Sequence, residues 1–294
     1  MASTEHLALL KEGVATWNGW RAANPEVKPD LREANLSRVN LRGYDFHEAD
    51  FYRANLRETI LYEANLSRAT LYKADLCMAN LCRADLSEVD LYHANLYTAV
   101  LMETNLREAT LYKADMREAT LYKADLREAT LHQADLRHAS LEGANLIGTT
   151  FYMANLAYAN LMRANFCMSN LVGSNLYRAN LRMCNMVGVN LYKAVLKEAN
   201  LYKADLREAI GSMADFTHAN LREANLSMAN LIHANLSQAV LTGSNLEMAN
   251  LWDADYAGAV FSRDMGMIPE ALRVMVRSLP QAENTVPFTQ ELLA

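Results

Sequence analysis

The stretch LREATLYKADMREATLYKADLREATLHQAD, residues 106–135, repeats one ten-residue phrase three times, and each phrase contains the same five-residue unit twice. The unit is a large apolar residue, two variable residues, a small residue, and then Asp, Asn or Thr. Outward from this stretch, the large residue recurs at every fifth position from Leu31 to Phe261 without a change of phase. Of these 47 positions, 37 are Leu, six are Phe and two are Met, and the position two residues earlier is Ala in 35 of 46 units. Residues 31–261 therefore form an uninterrupted five-residue repeat.

A period of five fits neither a long helix nor a long strand. The side-chain directions of a helix recur about every 3.6 residues, and those of a strand alternate from one residue to the next. A period of five fits a short extended step followed by a turn. The small and the large residue are two apart, so both point inward, while the intervening Asp, Asn or Thr points outward. A single unit cannot fold alone, since ordering five residues costs about 1–2 kcal/mol each and burying one Leu returns about 1.5–3 kcal/mol. The units must therefore stack on one another, as in other solenoids.

Units such as ANLSR, ADLCM, ADLRE and ANLIH resemble the pentapeptide-repeat family, whose signature is A(D/N)LXX. The resemblance covers residues 31–261. It implies an all-β solenoid, namely a right-handed quadrilateral parallel β-helix with four pentapeptides per coil, so that 47 units would form about 12 coils. The close match between neighbouring units and the richness in Leu and Met also resemble cyanobacterial members of the family.

Both ends of the repeat carry sequences that predict short helical caps, which such a solenoid needs to cover its terminal backbone edges. Residues 4–23 have apolar residues at spacings of three and four, and Pro25 follows them. The second predicted cap begins at Pro269 and ends before Pro280. The predicted domains are a capping helix with its connector, the β-helix, and a capping helix with a tail, over residues 1–30, 31–265 and 266–294.

Composition favours a cytoplasmic protein. The net charge of −6 is mild and gives no reason to expect nucleic acid as a partner. The N-terminus lacks the pattern of a signal peptide, and no run reaches the ~20 apolar residues of a membrane span. The four cysteines have neither zinc-site nor disulfide-framework spacing, so we expect free thiols.

Nothing in the sequence predicts an enzyme, a cofactor or a metal site. The seven histidines are far apart, and there is no glycine-rich phosphate loop and no H-E-x-x-H or C-x-x-C motif. The carboxylates recur with the repeat, which indicates structure rather than a unique acid/base pair.

If four units make a coil, units that are four apart in the sequence, and so residues that are 20 apart, lie above one another. This predicts a column of aromatic residues that shield the backbone: Tyr52, Tyr72, Tyr92, Tyr112, His132 and Tyr152. Other columns carry Arg and Glu, for which we expect ion pairs between coils.

The main departure from the pattern is that residues 143–197 contain no Asp or Glu but keep five Lys and Arg. Outward positions there hold Met, aromatic and aliphatic residues, a composition typical of protein-binding surfaces. We therefore predict a non-catalytic rigid scaffold, regulatory in role, that binds an unidentified protein through these middle coils. The predicted binding residues are Ile147, Tyr152, Met153, Tyr158, Met162, Arg163, Met168, Val172, Tyr177, Arg178 and Met183.

Three questions stay open at this point. The rod could mimic DNA and modulate DNA gyrase or another DNA-binding protein, although its mild charge argues against this, or it could be a purely structural or ice-binding rod, although only Thr110, Thr130 and Thr150 form an outward threonine row. The chain could be a monomer or a dimer. Finally, Gly211 replaces a large inward residue and could leave a cavity, unless the neighbouring turn repacks into it.

Overall fold

The computed structural model describes residues 1–261. Two helices precede the repeat: α1, Thr4–Lys11, and α2, Val14–Ala23. These replace the single helix predicted over residues 4–23, because Gly13 has a φ of 104° that interrupts the helix. The C-terminal cap predicted after Pro269 lies outside the described residues. Neither helix in the described part has the length and apolar run needed to cross a membrane.

From residue 30 onward the backbone winds into regular coils. Parallel bridges join the residue before each large apolar position to its equivalent four units later, from Asp30 with Asp50 to Val240 with Val260. Each coil therefore holds four five-residue units. In the described part the strands are reduced to these isolated bridges, since two of every five residues are spent on a turn.

One unit, residues 65–69, shows how the backbone amides are satisfied. The amides of Leu66 and Arg68 donate to carbonyls of the next coil at 2.7 and 2.8 Å, and the amide of Asn65 donates to a carbonyl of the preceding coil at 2.9 Å. The amide of Ala69 closes the turn on the carbonyl of Leu66 at 3.0 Å. The fifth amide, of Ser67, has no backbone acceptor within reach and donates to the side-chain Oδ1 of Asn65 at 3.0 Å. The Asp or Asn of each unit thus caps a turn, which explains its recurrence.

The second residue of every turn from 33 to 258 has a positive φ, between 53° and 72°. At 39 of these positions the residue is not glycine. A positive φ is uncommon for such residues. Here the hydrogen bonds to the neighbouring coils over-determine the conformation, so the strain is tolerated.

The large and small residues of the units fill the interior, as predicted, and almost all are fully buried. Serine or threonine replaces the small inward Ala in some units, and the hydroxyl of each of these buried residues donates a hydrogen bond to a backbone carbonyl. Thr59, Thr104 and Thr149 each donate to a carbonyl of the preceding coil at 2.8 Å. A threonine can therefore take the place of alanine without leaving an unpaired hydroxyl.

Gly211 leaves no void. A Cβ at this position would lie 2.7 Å from Leu231 Cδ2 and 3.6 Å from Phe216 Cε2, so these two side chains already occupy the space. The backbone also stays in register, since the amide of Gly211 donates to the carbonyl of Asn230 at 2.7 Å. The repacking of the adjacent turn that was considered from the sequence is not needed.

The helices α1 and α2 pack against the first coil. Trp17 is fully buried, and its ring lies 5.3 Å from Phe46 between centroids. The hydroxyl of Tyr44, a large residue at a small inward position, donates to the carbonyl of Leu10 at 3.2 Å. Arg21 donates to the carbonyl of His47 at 2.9 Å. Apolar contact and hydrogen bonds together cover the edge of the first coil.

Candidate functional site

The two variable residues of each unit form the turns, so they lie at the four corners of the coil rather than on its flat faces. Corner A holds positions 52/53 and their equivalents in every coil. Corners B, C and D begin in the same way at 57/58, 62/63 and 67/68. Within one corner, residues of successive coils lie above one another, about 4.8 Å apart.

Corner A carries the predicted aromatic column. The rings of Tyr52, Tyr72, Tyr92 and Tyr112 are stacked at centroid distances of 5.6, 5.1 and 4.9 Å. A cation of the same turn lies over several of these rings, for example Lys73 Nζ at 5.1 Å from Tyr72. The ring faces are thus occupied by one another and by the protein's own cations. They leave no gap in which an unstacked base could insert.

The eleven predicted binding residues divide among all four corners. By corner they are Tyr152, Met153 and Val172 on A; Tyr158, Tyr177 and Arg178 on B; Met162, Arg163 and Met183 on C; and Ile147 and Met168 on D. They therefore do not form one face. Whether a partner binds them stays a prediction, but the winding sorts them into two chemically different sides.

Corner D has no charged turn residue over three successive coils, and corner A has none over two of them; together they form what we call the neutral side. Its turn residues are Ile147, Gly148, Cys167, Met168, Val187 and Gly188 on corner D, and Tyr152, Met153, Val172 and Gly173 on corner A. Thr150 and Asn170 lie on the flat face between the two corners. Charged residues resume beyond it, at Arg127 and Arg207 on corner D and at Lys193 on corner A.

Met168, Met153 and Tyr152 are the prominent side chains of the neutral side, with exposed fractions of 68%, 54% and 42%. Glycines beside them shape the surface. A Cβ on Gly188 would lie 2.6 Å from Met168 Sδ, and a Cβ on Gly173 would lie 3.6 Å from Met153 Cγ. Each methionine therefore lies across a glycine of the next coil, which widens the exposed apolar surface.

The sequence prediction missed these glycines, and it left Cys167 and Val187 out of the binding residues. The signal that could have found them is a glycine four units after an exposed methionine, as in Met153 with Gly173 and Met168 with Gly188. This spacing has meaning only when the number of units per coil is known.

Corners B and C form the other side, which we call the basic side because it carries Arg163, Arg178, Arg182 and Lys197. On corner B, Tyr158 and Tyr177 meet edge to face at 5.4 Å. Arg178 pairs with Glu198, the first acid after the gap, with Nε and Oε2 2.6 Å apart. This hydrogen bond is the largest cause that lowers the pKa of Glu198.

Below the middle coils, corner B has a small open groove of about 180 Å³, lined by Tyr97, Arg117, Glu118, Arg137 and His138. Its two arginines, Tyr97 and Glu118 already have partners. Arg117 and Arg137 pair with Asp residues of their own units at 2.6 Å, and the Tyr97 hydroxyl donates to Glu118 at 3.2 Å. The groove is therefore part of the ion-pair lattice.

The thiols differ in accessibility. Cys184 occupies a small inward position, and burial raises its pKa to about 12. Cys167 lies at the partly exposed corner D. A thiol held neutral, as in Cys184, is a poor nucleophile.

The chain matches the model of one known protein family. The model for pentapeptide repeats matches in 8 copies, within residues 30–61, 64–101, 99–137, 124–157, 159–197, 174–210 and 212–247. No curated protein sequence matches the chain.

Solved structures include similar proteins. HetL, from the cyanobacterium Nostoc sp. strain PCC 7120, is 32% identical, with 87% of this chain and 99% of HetL covered and a TM-score of 0.31. Rfr23, from the cyanobacterium Cyanothece 51142, is 32% identical, with 42% of this chain and 91% of Rfr23 covered and a TM-score of 0.35. Full-length QnrB1, a plasmid-mediated fluoroquinolone resistance protein, is 17% identical, with 71% and 96% covered and a TM-score of 0.26.

The assignment rests on the repeat match, which agrees with the family predicted from the A(D/N)LXX units. The chain belongs to the pentapeptide-repeat family.

Proposed function

We propose that this protein is a non-catalytic, rigid scaffold that binds a protein partner through the neutral side of its middle coils. The rod would be a right-handed quadrilateral β-helix of about 12 coils. The observation that carries the proposal is the absence of charge over three coils of corner D and two coils of corner A, in a chain whose corners are otherwise rich in Arg, Lys and Glu.

Exposed methionines, a tyrosine and small residues without charge are the composition that favours protein contact. Along corner D the neutral side extends about 10 Å from its first to its third coil. This height suits the apolar face of a single helix, which is about 10 Å across. We therefore propose that the partner contributes one apolar helix rather than a broad surface.

A regulatory role forms part of the proposal. HetL, which is 32% identical to this chain, is involved in heterocyst differentiation regulation. A rigid binder without a reaction of its own would act in regulation by occupying a surface of its partner.

The charge distribution favours this function over DNA mimicry. Residues 143–197 carry a net charge of +5, between residues 30–142 and 198–261, each with a net charge of −5. A DNA mimic needs a continuous acidic surface, and the middle coils interrupt it.

The test is capture of partners from a lysate of the source organism, with identification by mass spectrometry. The bait variants are Met153→Asp/Met168→Asp and, as a control, Met78→Asp/Met228→Asp. The control methionines occupy the same turn position, are 52% and 54% exposed, and lie outside the middle coils. We expect the first variant to lose a partner that wild type and control both retain. Equal capture by all three baits would overturn the proposal, as would loss of supercoiling activity when the protein is added to DNA gyrase.

A further inference from the structure

Two pairing rules, both set by the five-residue unit, describe the ion pairs of nine of the sixteen arginines in residues 30–261; Arg42 and Arg57 pair with Glu63 and Asp75 instead. An Arg at the first turn position pairs with an Asp two residues earlier in the same unit. This occurs at all five Asp-x-Arg sequences: Asp30/Arg32, Asp115/Arg117, Asp125/Arg127, Asp135/Arg137 and Asp205/Arg207.

The second rule connects coils. An Arg at the second turn position pairs with a Glu at the same position of the next coil. Examples are Arg38 with Glu58, Arg68 with Glu88, Arg83 with Glu103 and Arg178 with Glu198, at 2.6–3.0 Å. Many arginines of the rod are neutralised in one of these two ways.

Arg163 and Arg182 on corner C satisfy neither rule. Arg182 follows Asn180, an amide in place of the carboxylate, and the equivalent of Arg163 in the next coil is Met183. Within the described part of the chain, neither guanidinium forms an ion pair or a hydrogen bond. Arg182 Nε is buried without a hydrogen-bond partner, although its Cζ lies 5.5 Å from the centre of the Tyr202 ring.

The two residues are neighbours on successive coils. The backbone amide of Arg163 donates to the carbonyl of Arg182 at 2.9 Å. Met162 and Met183 are the other turn residues of these two units. The nearby acids are already engaged: Glu142, one coil earlier, accepts from Asn160 at 3.3 Å, and Glu223 pairs with Lys203 at 3.3 Å.

From these contacts we infer that Arg163 and Arg182 form a binding site for an acidic segment of a protein. Guanidinium groups bind carboxylates through paired hydrogen bonds. Arg163 is exposed and Arg182 partly exposed, so their guanidinium groups can be reached by a ligand. The methionines on either side offer apolar contact to the residues that flank the bound carboxylates.

The charge along the rod selects a protein segment over a nucleic acid. The two guanidiniums lie within residues 143–197, which carry five positive charges and no acid, and the segments on either side, residues 30–142 and 198–261, each have a net charge of −5. A polyanion that runs along the rod would meet repulsion at both ends, and nucleic acids gain affinity from many phosphate contacts. A short acidic segment that crosses the rod avoids this repulsion. The inference deepens the proposed function by naming a second feature of its partner, and it concerns the opposite corner of the coil.

The test uses fluorescence anisotropy with the full chain at low salt, where exposed charges are least screened. The probe is a labelled octapeptide of alternating glutamate and leucine; its lysine–leucine counterpart and a short labelled DNA duplex serve for comparison. The variants are Arg163→Gln/Arg182→Gln, Arg163→Lys/Arg182→Lys and a charge-matched control, Arg107→Gln/Arg222→Gln. The control arginines also form no ion pair in the described part, but each precedes a Glu in its own turn.

We expect the glutamate peptide to bind wild type and the control equally, and the Gln variant to bind it about tenfold more weakly, with partial rescue by the Lys variant. Circular dichroism would establish that all variants are folded. Failure of the peptide to bind wild type, equal loss in the control, or tighter binding of the duplex through the same arginines would each overturn the inference. The variant Met153→Asp/Met168→Asp should bind this peptide normally, so failure here is distinguishable from failure of the proposed function.

Discussion

The indole Nε1 of Trp17 donates to the carbonyl oxygen of Asp45 at 2.8 Å, which ties α2 to the first full coil of the rod. The ring is fully buried against Tyr44 and Phe46. This contact covers both the apolar interior and a backbone edge at the start of the solenoid.

Replacement of Trp17 by Ala should therefore lower the free energy of unfolding by about 3–5 kcal/mol, the usual cost of removing a buried aromatic side chain. Urea denaturation followed by circular dichroism measures it. The matched control is Trp252→Ala, because Trp252 is 66% exposed, and we expect it to change stability by less than about 0.5 kcal/mol. Similar losses in both variants would show that the Trp17 contact does not hold the end of the rod.

The ion pairs within units predict a dependence of stability on acid. The side chain of Arg32 lowers the pKa of Asp30 to about 2, and that of Arg117 lowers the pKa of Asp115. Because the pKa of Asp30 is lower in the folded state than in the unfolded state, the ionised carboxylate stabilises the fold at pH values above about 4, and this contribution is lost as the pH falls toward 2.

The variant Asp30→Asn/Asp115→Asn keeps the side-chain oxygen that caps each turn and removes only the charge. We expect it to be less stable than wild type by about 0.2–1 kcal/mol per pair near neutral pH, since the pairs are partly exposed. The difference should vanish near pH 2, as measured by urea denaturation across pH. A difference that does not change with pH would contradict this account.

The buried thiol of Cys184 should make the stability of the protein depend on pH in the alkaline range. Its thiol donates to the carbonyl of Leu161 at 2.9 Å inside the rod, and burial raises its pKa from 9.0 to about 12. Because the pKa of the Cys184 thiol is higher in the folded state than in the unfolded state, its contribution to stability is complete below pH 9 and is lost as the pH rises from 9 to about 12.

Relative to Cys184→Ser, wild type should therefore lose about 1.4 kcal/mol of stability per pH unit above pH 9. The serine hydroxyl can take over the hydrogen bond, as Ser169 does with Leu146 at 2.6 Å. In alkylation with mass mapping, Cys167 should react in the folded protein and Cys184 only after unfolding. Fast native modification of Cys184 would sink this prediction.

A large side chain at position 211 should overfill the interior and lower the stability of the protein. Because Leu231 and Phe216 already occupy the space, Gly211→Leu should destabilise the protein by about 1–3 kcal/mol, although it completes the repeat. The double variant Gly211→Leu/Leu231→Ala should lose less stability than the sum of the losses in the two single variants, because the new leucine fills the space that Leu231 leaves. Strictly additive effects in thermal unfolding would contradict the packing described for Gly211.

Some of the candidate site could be predicted from the sequence. The loss of acids over residues 143–197 is visible in the printed chain, and so is the family, through the A(D/N)LXX units. The role of Asn65 and its equivalents could not be derived in the same way. Their side chains point outward in an extended step, yet only the turn geometry brings Oδ1 to the amide two residues later.

The sequence by itself determined the period, which residues are buried and where the carboxylates stop, because each of these depends on one unit and its neighbours along the chain. Only the tertiary structure decided which residues share a side. Met168 joins Met153 on the neutral side, and Arg163 meets Arg182, because the coil returns to the same corner with every fourth unit. The physical reason is that contacts around the rod depend on the number of units per coil, which is set by the hydrogen bonds between coils.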